Sequence, residues 1–211
     1  MENYRPLAGT PIQNLDTPSL LIDLDPLERN MDHVVETYRD SPAKMRPHVK
    51  NLKSPILAHM QIEVGGTVGG VCTAKLTEAE VMVEGGIDNV FITNQVVTRD
   101  KMTRLCALAK RAHVMVAVDD SRNLRELSEV AQAHGAMVGV VIEVNTSMRR
   151  AGIRSVEEGV KLARLAHHLP GIAFKGVMSH QTLTEPEPDR ETRFIEGGTY
   201  IQMCLDAKNA I

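Results

Sequence analysis

Short runs of β-branched and other apolar residues alternate along the chain with longer stretches whose apolar positions recur every three or four residues. That alternation predicts βα units built around a parallel sheet. Strands are predicted over residues 44–50, 69–73, 89–93, 113–118, 137–144 and 173–178. Helices are predicted between them, over about 54–62, 77–84, 99–111, 122–134 and 156–168, with a further helical stretch over 198–209. Gly85-Gly86, Gly135 and Pro170-Gly171 follow three of these helices as stop signals. Ahead of the βα units, the apolar segment 19–25 reads as a leading strand. A helix follows it to about Arg39, with Asp25 as N-cap and Pro26 at the first helical position. The chain therefore reads as one domain: a leading strand and helix over 1–40, then barrel βα units over 41–211. There is no internal repeat or low-complexity tract, and Glu185-Pro186-Glu187-Pro188-Asp189 reads as an acidic loop.

Composition narrows the class. A chain of 211 residues, 43% hydrophobic and 24% charged, is long enough for one sizeable core and short for two. A net charge of -3 argues against nucleic acid or an anionic membrane as main partner, while a compact anionic ligand fits. Cys72, Cys106 and Cys204 are odd in number and widely spaced, which suggests neither a disulfide framework nor a cysteine zinc site. No apolar run approaches bilayer length, and the first eleven residues are polar and proline-punctuated, so a reduced, cytoplasmic setting is expected.

Polar residues gather where the predicted strands end: Lys50, Thr73 with Lys75, Thr93 with Asn94, Asp119 with Asp120, Glu143 with Asn145, and Ser179 with His180. In an α/β barrel the loops after the strands build the site, so this placement predicts a ligand surface. Helix capping is the competing explanation for Asn94, Asp119, Asp120 and Thr77. It does not account for a lysine, an arginine and a histidine at separate strand ends. In Arg46-Pro47-His48-Val49-Lys50 the proline stiffens the approach to Lys50 and biases Arg46 toward extended geometry. An amine at such a strand end can trap an aldehyde if it is partly desolvated or set among other positive charges, here Arg46, His48 and Lys53. Lys75 is the rival, although the acidic helix start Glu78-Ala79-Glu80 beside it favours an ion-paired ammonium.

The same residues resemble a known family. Arg46 to Lys50, Lys53-Ser54-Pro55, the run Gly69-Gly70-Val71-Cys72-Thr73-Ala74-Lys75-Leu76 into Glu78-Ala79-Glu80, and Gly85-Gly86-Ile87-Asp88-Asn89-Val90 are similar to the D-threonine aldolase and D-serine dehydratase family. Residues 20–30 resemble its opening and 143–152 its arginine-containing strand and turn. The group is alanine-racemase-like, fold-type III, and uses pyridoxal 5'-phosphate. The resemblance implies a TIM-barrel-like α/β domain, incomplete here at about six of eight strands, without the C-terminal β domain that the leading strand would join. It implies that Lys50 carries the cofactor aldehyde and that Arg150 approaches the pyridine nitrogen. From its strand-end place and a reference pKa near working pH, His180 would stack on the cofactor or shuttle protons, or else cap or face solvent, and His48, two residues before the lysine, would tune it or fill the barrel. The resemblance also implies a small D-amino acid substrate, a homodimer, and a divalent metal whose ligands would lie beyond Ile211. Asn145-Thr146-Ser147 departs from the acidic, glycine-containing version of many relatives. The activity expected is lyase chemistry on 3-hydroxy-D-amino acids, led by retro-aldol cleavage. Dehydration of D-serine or 3-hydroxyaspartate is the alternative, and a noncatalytic cofactor-binding protein or inactive fragment is the alternative of another class.

Overall fold

Apolar runs closed off by glycine or polar residues become adjacent strands of one sheet, and the periodic stretches between them become the helices that cover it. A computed structural model describes residues 5–147, 149–181 and 189–211. After a 3-10 turn at Ile12–Asn14 come α1 (Leu24–Tyr38), α2 (Pro55–Glu63), β1 (Val71–Thr73), α3 (Leu76–Glu84), β2 (Asn89–Ile92) and α4 (Arg99–Ala109). β3 (His113–Val118), α5 (Ser121–Ala133), β4 (Val138–Val144), α6 (Val156–His168), β5 (Ile172–Ser179) and α7 (Arg190–Ala210) complete the order. The five strands lie side by side in chain order and pair in parallel throughout. This is the α/β architecture that the alternating pattern predicts.

Alternation along each strand separates two apolar layers. Val90 and Ile92 of β2 join Val116, Val118, Val140 and Ile142 in the core under the helices. Phe91 between them turns the other way, into a smaller cluster with Ala117 and Val141, flanked by Cys72, Met115 and Met178. All seven residues of β4 are buried, because β3 and β5 flank it and both layers cover it. A bulge between Val140 and Val141 leaves Lys175 of β5 without a register partner, so the strand resumes at Gly176.

Several expectations from sequence are corrected. No strand forms over 19–25; among the described residues the segment has no ladder partner, and Leu20, Leu21 and Ile22 are exposed. A short apolar run reads the same whether or not a neighbouring strand pairs with it. The helix after it starts at Leu24, capped by Asp23, whose side chain accepts from the Asp25 amide. Asp25 and Pro26 thus sit inside the first turn, where the missing proline N–H costs nothing. The strand predicted over 44–50 survives only as two parallel bridges, Met45 to Thr67 and His48 to Cys72. Pro47 between them has no amide to donate; its carbonyl accepts from the Cys72 amide at 2.7 Å. Among the described residues, five strands and this bridged edge therefore stand where six strands were predicted. The last helix starts at Arg190 rather than Gly198, capped by the Asp189 carboxylate, and runs through Gly197-Gly198 while packing on α6 and β5. Of the acidic loop, residues 185–188 lie outside the described residues.

Candidate active site at the carboxyl ends of the strands

Lys50 is delivered by a tight turn rather than by a regular strand. The Val49 amide donates to the Cys72 carbonyl at 2.9 Å, and the side chain of Val49 is buried. The chain then turns through 49–52 and is closed by the Lys53 amide donating to the Val49 carbonyl at 2.8 Å. Lys53 takes the strained positive φ of 49° that this closure needs. Ser54 caps α2 and Pro55 occupies its first turn, so the turn bearing Lys50 is held between a bridged edge and a helix start. The Lys50 side chain itself is exposed.

His48 is half-buried beside it, and its network assigns the tautomer. The Lys50 amide donates to His48 Nδ1 at 3.3 Å, so Nδ1 is the unprotonated nitrogen. His48 Nε2 lies 3.3 Å from Thr93 Oγ1, whose own proton goes to the Thr73 carbonyl, so Nε2 carries the hydrogen. A second proton would break the bond to the Lys50 amide. Burial, reinforced by the charges of Lys50 and His180, accordingly holds the His48 pKa below its ordinary value. His180 is lowered too, by burial first, then by Arg150 and Lys50, with Glu143 pulling the other way. Both histidines titrate lower folded than unfolded, so the unfolded chain binds more protons between the two values and stability rises with pH there. Their contribution is intact above about 6.5, the unfolded value, and is lost as pH falls through the folded values. Urea unfolding followed from pH 7.5 down to pH 5 should show this loss, and His48→Gln should shrink it.

Arg150 reaches the same mouth on a loop folded back across β4. The Asn145 amide donates to the Ile153 carbonyl and the Ile153 amide to the Glu143 carbonyl, both at 2.9 Å. The Asp119 carboxylate accepts from the Gly152 amide at 2.7 Å, which ties the loop to the end of β3. Thr146 Oγ1 donates to the His180 carbonyl at 3.0 Å, joining the ends of β4 and β5. Below the loop, Glu143 Oε1 lies 3.8 Å from Arg150 Nη2, and Gln95 Nε2 donates to Glu143 Oε2 at 2.6 Å. The structure thus brings Lys50, His48, His180 and Arg150 into one electrostatically connected group, with Glu143 as its buried anion.

Other strand-end residues resolve differently. Only Asp120 caps, accepting from the Arg122 and Asn123 amides, whereas Asp119 holds the Arg150 loop and Asn94 donates to the Ala74 carbonyl. Thr77 lies within α3, past its N-cap Lys75, and the Glu78 side chain accepts from the Ala74 amide. The acidic start of α3 pairs Glu78 with Lys53 and Glu80 with Arg104, and no ion pair to Lys75 forms among the described residues. Cys72 lies on the inner layer, where burial pushes its thiol up to about 11, too high for a nucleophile at neutral pH. A concavity of about 630 Å³ opens instead between α5 and α6 and shares Asp119, Gly152 and Ile153 with the Arg150 loop. Among the described residues there is no cluster of three or more His, Cys, Asp or Glu arranged for a metal, and no helix long and apolar enough to cross a membrane. Thr93, Gln95 and Asp119 as tethers have no sequence signature; a carboxylate in the otherwise apolar run of β4 is the one signal that Glu143 needs a partner.

Comparison with known proteins gives a consistent picture. The family model for the alanine racemase N-terminal domain matches residues 22–204. A 3-hydroxy-D-aspartate aldolase of Paracoccus denitrificans is 38% identical over 97% of this chain and 53% of its own length. A D-threonine aldolase of an Arthrobacter species is 34% identical over 88% of this chain and 48% of its own. The crystal structure of D-threonine aldolase from Filomicrobium marinum superposes with a TM-score of 0.85 at 37% identity, covering 94% of this chain and 54% of that one. The chain spans about half the length of the curated relatives it matches.

Proposed function

Because the chain belongs to the alanine racemase N-terminal domain family, we propose that it forms the cofactor-bearing part of a pyridoxal-phosphate-dependent lyase acting on 3-hydroxy-D-amino acids, chiefly by retro-aldol cleavage to glycine and an aldehyde. The observation that carries this reading is the grouping of one exposed amine, Lys50, with two neutral-biased imidazoles and the Arg150 guanidinium at a single strand mouth. That donor set fits an aldehyde-bearing aromatic cofactor: an amine to hold the aldehyde, and a charged guanidinium to lie against the pyridine nitrogen. Bound there, pyridoxal phosphate supplies the electron sink that allows a bond at the substrate Cα to break.

The chain's own residues supply the rest. Lys50 would be the amine that holds the cofactor aldehyde. Arg150, through its planar guanidinium, orients what lies against it. His180, its pKa depressed, is unprotonated near neutrality and can accept the proton of the substrate β-hydroxyl as the Cα–Cβ bond breaks. His48, fixed by Thr93 and the Lys50 amide, braces the turn that aims the amine. The dehydratase reading is supported by a 26% identical D-threo-3-hydroxyaspartate dehydratase of Delftia, over 79% of this chain. One assay separates the two: purified protein with pyridoxal phosphate is given D-threonine and D-threo-3-hydroxyaspartate. Release of glycine with an aldehyde is expected, release of ammonia would select dehydration, and neither product would refute the lyase reading.

A further inference from the structure

Resting on the reading that Arg150 meets the bound group, we propose that Glu143 and Gln95 are a positioning pair that holds the Arg150 guanidinium at the strand mouth, Glu143 serving as the buried counter-charge of its cations. Glu143 is the sixth residue of β4, a strand in which every position is buried, and its side chain is 3% exposed. Val141, two residues back on the same face, is an apolar residue buried in the inner layer, so this face does accept apolar side chains. Burying a carboxylate is costly unless it is paired and hydrogen-bonded, so its presence in this run needs a role that an apolar residue cannot fill.

The two oxygens divide the work. Oε2 receives the short bond from the Gln95 amide, which fixes the plane of the carboxylate from the β2 side. Oε1 is left facing Arg150 Nη2 at 3.8 Å, an ion-pair distance too long for a hydrogen bond. Arg150 is 45% exposed, so part of its guanidinium stays accessible while Nη2 faces Glu143. The loop that carries it is fixed separately, two and three residues on, where the Gly152 amide donates to the Asp119 carboxylate and the Ile153 amide to the carbonyl of Glu143 itself. One residue therefore anchors the Arg150 loop through its main chain and the Arg150 charge through its side chain. The charged and titratable groups acting on His180 are Arg150, Lys50, His48 and Glu143, of which Glu143 alone is an anion. Removing that charge takes away the anion that acts on His180, while Glu78, which acts on His48, stays in place.

Glu143→Gln keeps the shape and still offers Gln95 an acceptor, so it removes the charge and little else. Three readouts test the proposal on the full chain. By NMR of the cofactor-free protein, Glu143→Gln should broaden the Arg150 Nε–H signal and move the His180 titration midpoint downward, whereas Glu143→Asp, which keeps the charge on a shorter arm, should return the midpoint toward its original position. In pyridoxal phosphate binding, Glu143→Gln and Arg150→Lys should each raise the dissociation constant on the order of tenfold, and the double variant should raise it no further. Additive losses in the double variant, or an unchanged Arg150 signal and His180 midpoint in Glu143→Gln, would overturn the proposal. If the NMR changes appear in a protein that binds no pyridoxal phosphate, the positioning role stands and the cofactor reading falls.

Discussion

Lys50→Ala protein mixed with pyridoxal phosphate is expected to show none of the violet-edge absorbance that borohydride abolishes, and any lyase turnover should fall on the order of a thousandfold or more. The argument is one of competing amines. Lys53 is held 3.9 Å from Glu78, a carboxylate whose side chain is mostly buried, so its amine is already engaged by an anion. Lys75 stands at the start of α3 and lines a concavity with Lys101 and Arg104, away from the histidines. Only Lys50 has its charge registered by both His48 and His180, which places it within the grouping that would handle a cofactor and its substrate. Lys53→Ala and Lys75→Ala should therefore keep the band. Spectra before and after borohydride, with the modified residue located by mass spectrometry, decide among the three. Retention of the band in Lys50→Ala would remove the premise on which the proposed function rests.

How much of this was legible beforehand differs element by element. The strand predicted over 113–118 coincides with β3, β4 differs from prediction by one residue at its start and β5 by one residue at each end, because long runs rich in β-branched and other apolar residues leave few alternatives. The leading strand was not legible, since pairing is a property of two segments and only one of them is in the pattern. Nor was the first half of α7: Gly197 and Gly198 read as a break, each costing about 1 kcal/mol in a helix. Packing on β5 and α6, and the Gln181 side chain donating to the Gly197 carbonyl at 2.8 Å, carry the helix through them. At the site, the residue types were readable from the strand ends and the resemblance, but not the bonds among them. Asp119 and Asp120 are neighbours of one chemical type, yet one ties down a distant loop and the other caps α5. Sequence spacing cannot distinguish those fates, because the partner of Asp119 lies 33 positions away.

That loop also sets the second large effect. Gly152→Ala should lower stability by about 2–4 kcal/mol, combining backbone strain with overpacking that has no side chain to yield. Gly152 sits at φ +102°, a conformation that L residues rarely adopt. An added Cβ would lie 2.5 Å from the Asn145 amide nitrogen, 2.7 Å from the Val144 carbonyl carbon and 3.0 Å from the Glu143 carbonyl oxygen, all of them backbone atoms at the end of β4. None can swing aside as a flexible side chain would. Relief requires the loop to lift from β4, which would part the Gly152 amide from Asp119 and the Ile153 amide from Glu143. Arg150, two residues upstream, would leave with it. The substitution should therefore weaken cofactor binding as well as stability, whereas Gly198→Ala, whose added Cβ meets no atom within 4 Å, should leave both unharmed. Chemical denaturation and pyridoxal phosphate titration of the two variants measure the contrast. A Gly152→Ala protein as stable and as well occupied as the parent would mean that the loop is not clamped against β4 and that Arg150 owes its place to something else.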